Sequence, residues 1–103
     1  MNIQGAHIVI TGGAGALGKA FAMDLASRGA RVLASDLDQD GLVSLAKEGQ
    51  KKGYAIETFQ GDITQEQEVE RLFQSAVDRF GRVDVLINNA GIAEDGLLVK
   101  KRD

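Results

Sequence analysis

Apolar residues recur along the chain in short, β-branched blocks, each announced by a glycine. The blocks read Gly5-AHIVIT, Gly29-ARVLAS, Gly53-YAIETF and Gly81-RVDVLIN. Their length and Val/Ile content predict four strands, at 6–11, 31–35, 54–59 and 83–88. Most of their positions are apolar on both alternating faces, the pattern of a parallel sheet covered on two sides. Between the strands the period becomes helical. Over 65–80, Val69, Leu72, Phe73, Ala76, Val77 and Phe80 keep the spacing of one helix face without interruption. Thr64 and Gln67 are spaced as a capping box at its start, and Gly81 supplies a left-handed residue after its end. A helix at 16–28 would bury Leu17, Phe21 and Leu25. A weaker one at 40–52 would turn Leu42, Leu45 and Ala46 inward, with Gly49 interrupting it.

Strand and helix therefore alternate from Gly5 to Asn88. Such alternation requires right-handed crossovers and predicts an α/β fold, a Rossmann-type doubly wound parallel sheet with helices on both faces. The chain has no proline, long linker or low-complexity segment, so residues 1–103 read as one domain. Composition agrees: 44% hydrophobic and 26% charged residues in a chain of 103 suffice for one soluble core. A net charge of -3 argues against a nucleic-acid partner, and the basic run Lys100-Lys101-Arg102 reads as a solvated tail. With no cysteine, disulfides and thiolate-bound metals are excluded. No apolar run approaches the roughly 20 residues that span a bilayer, so no membrane partner is expected. The opening MNIQGAH lacks a secretory layout, and the cytoplasm is the expected location.

In this architecture ligands bind beyond the carboxyl ends of the strands. Here those ends read Thr11-Gly12, Ser35-Asp36, Gly61-Asp62 and Asn88-Asn89, four small or polar endings that suggest a shared binding crest. The first continues as TGGAGALG, in which Gly13, Gly15 and Gly18 fit G-x-G-x-x-G between a strand and a helix. Missing side chains let backbone N–H groups approach a pyrophosphate, and the helix start adds about half a positive charge. The simpler alternative is a tight turn that holds no ligand. Asp36, closing the second strand, stands at the usual distance for the acid that binds an adenosine ribose. A carboxylate there accepts both ribose hydroxyls and repels a 2′-phosphate carrying roughly -1.5 to -2 charge. Residues 11–18 contain no Lys or Arg, and Leu37 follows Asp36, so NAD is favoured over NADP. Asp38 and Asp40 read as helix-capping residues.

TGGAGALG, Asp36, Gly61-Asp62-Ile63 and Asn88-Asn89-Ala90-Gly91 together resemble the N-terminal, cofactor-binding half of a short-chain dehydrogenase/reductase, in order and spacing over nearly the whole chain. The NNAG run is the most family-specific piece. The resemblance implies a strand order of 3-2-1-4. It places Thr11, Gly12 and Gly18 in the family's T-G-x-x-x-G-x-G loop, with Ala16 where the family has Gly. Gly13, Gly15 and Leu17 complete the cofactor loop, and Asp36 with Leu37 takes the adenosine ribose. Asp62 and Ile63 would contact adenine, while Asn89, Ala90 and Gly91 would lie along the ribose.

By the same resemblance, the parent enzyme would transfer a hydride between nicotinamide and a small-molecule alcohol or carbonyl, as a homotetramer or homodimer. The family's catalysis uses a Tyr, a Lys four residues later, an upstream Ser and an Asn. The single tyrosine, Tyr54, is followed at that spacing by Thr58 and opens the third strand, where packing is its expected role. His7, inside the first strand, reads as structural. No catalytic residue is nominated, and the chain reads as truncated before its catalytic half. Its fourth strand would then be a sheet edge protected only by Asp84, which predicts poor solubility or self-association. Two other functions share parts of the pattern: a stand-alone dinucleotide-binding module, and an S-adenosylmethionine-dependent methyltransferase, which the Thr-Gly opening and NNAG disfavour.

Overall fold

The computed structural model of the chain describes residues 2–89. Seven elements follow in order: β1 (His7–Thr11), α1 (Ala16–Ser27), β2 (Arg31–Asp36), α2 (Gln39–Lys51), β3 (Ile56–Gln60), α3 (Glu66–Phe80) and β4 (Val85–Asn88). The strands form one sheet in the order β3-β2-β1-β4, and every neighbouring pair is parallel. This is the doubly wound α/β fold with the expected strand order. The register sets Thr11 opposite both Ser35 and Asn88, so the polar strand ends line up along one rim of the sheet.

Two cores hold the layers together. On one face Ile8, Ile10, Val32 and Ala34 pack against Ala22 and Ala26 of α1 and Leu42 and Leu45 of α2. On the other, Val9 and Leu33 pack against Leu72, Ala76 and Phe80 of α3. β1 is buried along its whole length, as a central parallel strand with apolar residues on both faces should be.

The helices depart from the sequence reading in informative ways. α1 buries Gly18, Ala22 and Ala26, whereas Leu17 is 48% exposed and Phe21 and Leu25 are half-buried. A stripe of small residues seats the α1 backbone directly on the sheet, and its large side chains splay to the flanks. Gly49 does not interrupt α2. The helix runs on to Lys51, because a side chain at position 49 would stand 3.1 Å from Ile56 Cδ1 and the glycine lets α2 settle onto β3. The capping box at α3 does not form. Its N-cap is Gln65, without a side-chain bond, while the Thr64 hydroxyl and amide both donate to Asp62 Oδ1, at 2.6 and 2.9 Å. Asp62 competes for Thr64 and closes a tight local turn ahead of the helix.

The other end of α3 is as expected: Gly81 adopts φ 88° and its N–H donates to Val77 O at 2.7 Å. The inward stripe of α3 is narrower than its period suggested, with Val77 45% exposed. Among the described residues α3 is the only helix on that face, so only its central line is covered. Tyr54 precedes β3 instead of opening it, and packs half-buried against the α1/α2 core.

Candidate dinucleotide-binding site

The turn that leaves β1 is made possible by one residue. Gly12 has φ 71°, the only left-handed conformation in the loop. Gly13 serves close approach instead: its N–H donates to Ser35 O at 2.9 Å, and a Cβ there would come within 2.6 Å of Ala34 Cβ. Gly18 lies inside α1, where a Cβ would collide with Gly12 O and stand 2.9 Å from Asn89 Nδ2. The Gly12 carbonyl is itself held by Asn89 Nδ2 at 3.1 Å. Gly15 is different. It is the N-cap of α1, at φ -75° and ψ 165°, and a methyl there would meet only Gly12 O at 3.7 Å. Neither backbone angle nor packing demands a glycine at this position, so its bareness leaves open space in front of the helix. Ala16 begins α1 in an exposed position without a left-handed backbone, and its methyl is accommodated.

The start of α1 carries no side-chain cap and no acidic residue in its first turn. The start of α2, in contrast, is capped by Asp38, whose Oδ1 accepts the Gly41 N–H at 3.1 Å. Asp40 is not a cap; it sits in the first turn of α2, where a negative charge favours the helix dipole. Uncapped first-turn N–H groups beside a bare glycine form a cradle suited to an anion.

Asp36 stands next to that cradle. Its Oδ2 accepts the Ala14 N–H at 2.9 Å, its Oδ1 accepts the Asp38 N–H at 3.0 Å, and its carbonyl accepts the Gly61 N–H at 3.1 Å. Each carboxylate oxygen thus has one backbone donor and keeps acceptor capacity for a ligand. Leu37 beside it is 62% exposed, an apolar surface at the rim. On the far side of Gly61, Asp62 is committed to Thr64, and the Thr64 hydroxyl, followed by its N–H, holds that carboxyl below the ordinary aspartate range. Ile63 packs against the α3 core. Asn89 is 3% exposed, and among the described residues its Oδ1 is a buried acceptor without a partner, the kind of group a ligand can satisfy.

One connected cluster therefore joins Gly12, Gly13, Gly15, Gly18, Asp36 and Asn89, with Leu17 and Leu37 exposed at its margins. Asp62 and Ile63 attach through the Gly61 bond. Ala90 and Gly91 lie outside the described residues. The sequence reading missed Ala14, whose N–H secures Asp36; the only signal was its place between Gly13 and Gly15. A second tie flanks the cluster, where Lys19 Nζ meets Glu48 Oε1 at 2.7 Å and links α1 to α2.

A family model for short chain dehydrogenases matches residues 6–102. The chain is 35% identical to a 3-oxoacyl-(acyl-carrier-protein) reductase of Thermotoga maritima over all of its length, covering 42% of that protein. It is 42% identical over 84 residues to an (S)-acetoin-forming diacetyl reductase of Staphylococcus epidermidis, covering 82% of this chain and 33% of that protein. Among solved structures, a hydroxysteroid dehydrogenase from Escherichia coli superposes with a TM-score of 0.81 at 34% identity, over 84% of this chain and 37% of the other. A short-chain dehydrogenase/reductase from Burkholderia phymatum in complex with NAD does so with a TM-score of 0.81 at 28% identity, over 84% and 31%. The chain thus spans about two fifths or less of the relatives it matches. The parallel sheet, the glycine cradle and these matches agree, and the chain belongs to the short-chain dehydrogenase/reductase family of oxidoreductases.

Proposed function

We propose that the chain is the NAD-binding part of an oxidoreductase that moves a hydride between nicotinamide and a small-molecule alcohol or carbonyl. The observation that carries this reading is the Asp36 carboxylate, pinned by the Ala14 and Asp38 amides with acceptor capacity to spare, beside an uncapped helix start. In this reading Asp36 takes the adenosine ribose hydroxyls, and its charge opposes a 2′-phosphate. The backbone from Gly12 to Gly18 holds the pyrophosphate, with Leu17 at its margin. Leu37, Asp62 and Ile63 flank the adenine, and Asn89 with Ala90 and Gly91 borders the ribose. The bound dinucleotide supplies the hydride acceptor or donor. The proton-transferring residues are assigned to further polypeptide, since no Tyr-x-x-x-Lys occurs in these 103 residues. A soluble cytoplasmic oligomer, a homotetramer or homodimer, is the parent this reading implies.

Titration calorimetry with NAD and NADP tests it. NAD is expected to bind more tightly than NADP. Asp36→Ala should weaken NAD by about tenfold, the effect of losing one polar contact, and narrow the gap between the two. Failure of the unaltered chain to bind either dinucleotide refutes the reading, and tighter binding of NADP refutes the NAD assignment.

A further inference from the structure

Gly41 lies in the first turn of α2, a position where glycine is among the poorest helix formers. Its backbone is not left-handed, so conformational freedom does not explain it. Room does. A Cβ at position 41 would come within 2.6 Å of Ala14 Cβ and 2.8 Å of Asp38 Oδ2. The Asp38 oxygen ends a side chain and can turn aside. The Ala14 Cβ is fixed to the backbone and moves only if the glycine loop moves.

These contacts close a ring around the carboxylate. Ala14 N–H donates to Asp36 Oδ2, Asp38 N–H donates to Asp36 Oδ1, Gly41 N–H donates to Asp38 Oδ1, and Gly41 rests against Ala14. A methyl at position 41 would push Ala14 outward and withdraw one of the two amides that orient Asp36.

We propose that Gly41 is a positioning residue of the dinucleotide site: by letting α2 close onto Ala14, it fixes the Asp36 carboxylate in the orientation that prefers NAD to NADP. The role of Gly41 rests on the NAD reading above. It acts through Ala14 and Asp36 and touches no cofactor atom itself. A carboxylate released on one side accepts the ribose hydroxyls less well, and it can swing away from a 2′-phosphate that it would otherwise repel.

The test compares the full chain with Gly41→Ala and with the double variant Gly41→Ala/Ala14→Gly, in which the obstructing methyl is removed. Affinities for NAD and NADP are measured by calorimetry, and the Ala14 amide proton is followed by NMR without ligand. Gly41→Ala should weaken NAD by about tenfold and NADP by less, shrinking the ratio between them. The Ala14 amide proton should move upfield as its bond to Asp36 is lost. The double variant should recover both the ratio and the amide position, a rescue that a purely helical role for Gly41 would not produce. An unchanged ratio and an unshifted amide in Gly41→Ala overturn the proposal, as does a loss that Ala14→Gly fails to restore. If Gly41→Ala does not fold, a folded, NAD-selective double variant supports the proposal and an unfolded one overturns it. An unaltered chain that binds neither dinucleotide overturns the NAD reading and the selectivity role together. The Ala14 amide then still reports on the Gly41 contact, which distinguishes the two failures.

Discussion

Gly18 and Gly15 stand three residues apart in one motif, yet a methyl group would act on them in opposite ways. At Gly18 it meets the Gly12 carbonyl, which is fixed by the turn and by Asn89, so the helix or the loop must shift. Gly18→Ala should therefore destabilise the fold by about 1–3 kcal/mol, the usual cost of overpacking, read from urea unfolding midpoints. At Gly15 the methyl meets open space, and the fold loses less than about 1 kcal/mol through a poorer N-cap. Its effect should appear in dinucleotide affinity, measured by calorimetry, because the methyl would occupy the approach proposed for the pyrophosphate. The motif letters do not separate these roles, since both positions are simply glycine in the sequence. The separation comes from what lies opposite each Cα.

Among the elements, α2 shows where a cap matters. Asp38 closes its first turn and also donates its own N–H to Asp36, so the helix start and the acid proposed to bind the ribose share one residue. Asp38→Ala should cost about 1 kcal/mol in unfolding free energy, while Gln67→Ala near the start of α3 should stay within about 0.5 kcal/mol, because no capping box exists there. Parallel urea titrations of the two variants check both. The helical period predicted all three helices, and the Leu42, Leu45, Leu72, Ala76 and Phe80 positions face the sheet as their spacing requires. Spacing did not reveal that α1 would turn its smallest residues inward. Hydrophobicity ranks Leu above Gly, whereas the distance between α1 and the sheet, set by Gly18, Ala22 and Ala26, ranks them by size.

At the scale of the molecule, the end of the sheet opposite the site is tied by Asp84. Its Oδ2 accepts the His7 N–H at 2.8 Å, its N–H donates to His7 O at 2.8 Å, and its Oδ1 accepts from Arg82 Nε at 3.0 Å. The two bonds to His7 join β1 to the start of β4 across a sequence separation of 77 residues. Beside them the His7 ring stacks on Phe80 with centroids 5.2 Å apart, and the Arg31 guanidinium lies over the Phe80 ring, 4.7 Å from its centroid. The His7 amide first, and Arg82 second, hold the Asp84 carboxyl below its ordinary value. A depressed folded-state pKa means the contribution is complete above the unfolded value of about 3.9 and is lost as the pH falls through the lower, folded value. Asp84→Asn should therefore unfold at lower urea than the unaltered chain at pH 7, with the difference shrinking below about pH 4. Because Asp84 lies at the amino ends of the strands, this substitution should leave the preference between NAD and NADP unchanged.

The alternation of strands and helices, the polar endings at the strand tips and the position of the acid after the second strand are all legible in the amino-acid sequence. Those are local properties: periodicity, β-branching and glycine placement act within a few residues of one another. The strand order followed from resemblance, and the pairings bear it out. Tertiary packing was needed to show that Gly49 would seat α2 instead of breaking it, and that Ala14 and Gly41 would meet around Asp36. Each of those outcomes depends on which groups the packed layers bring within a few ångströms. That proximity is a property of the assembled sheet and helices, and no single stretch of the chain encodes it alone.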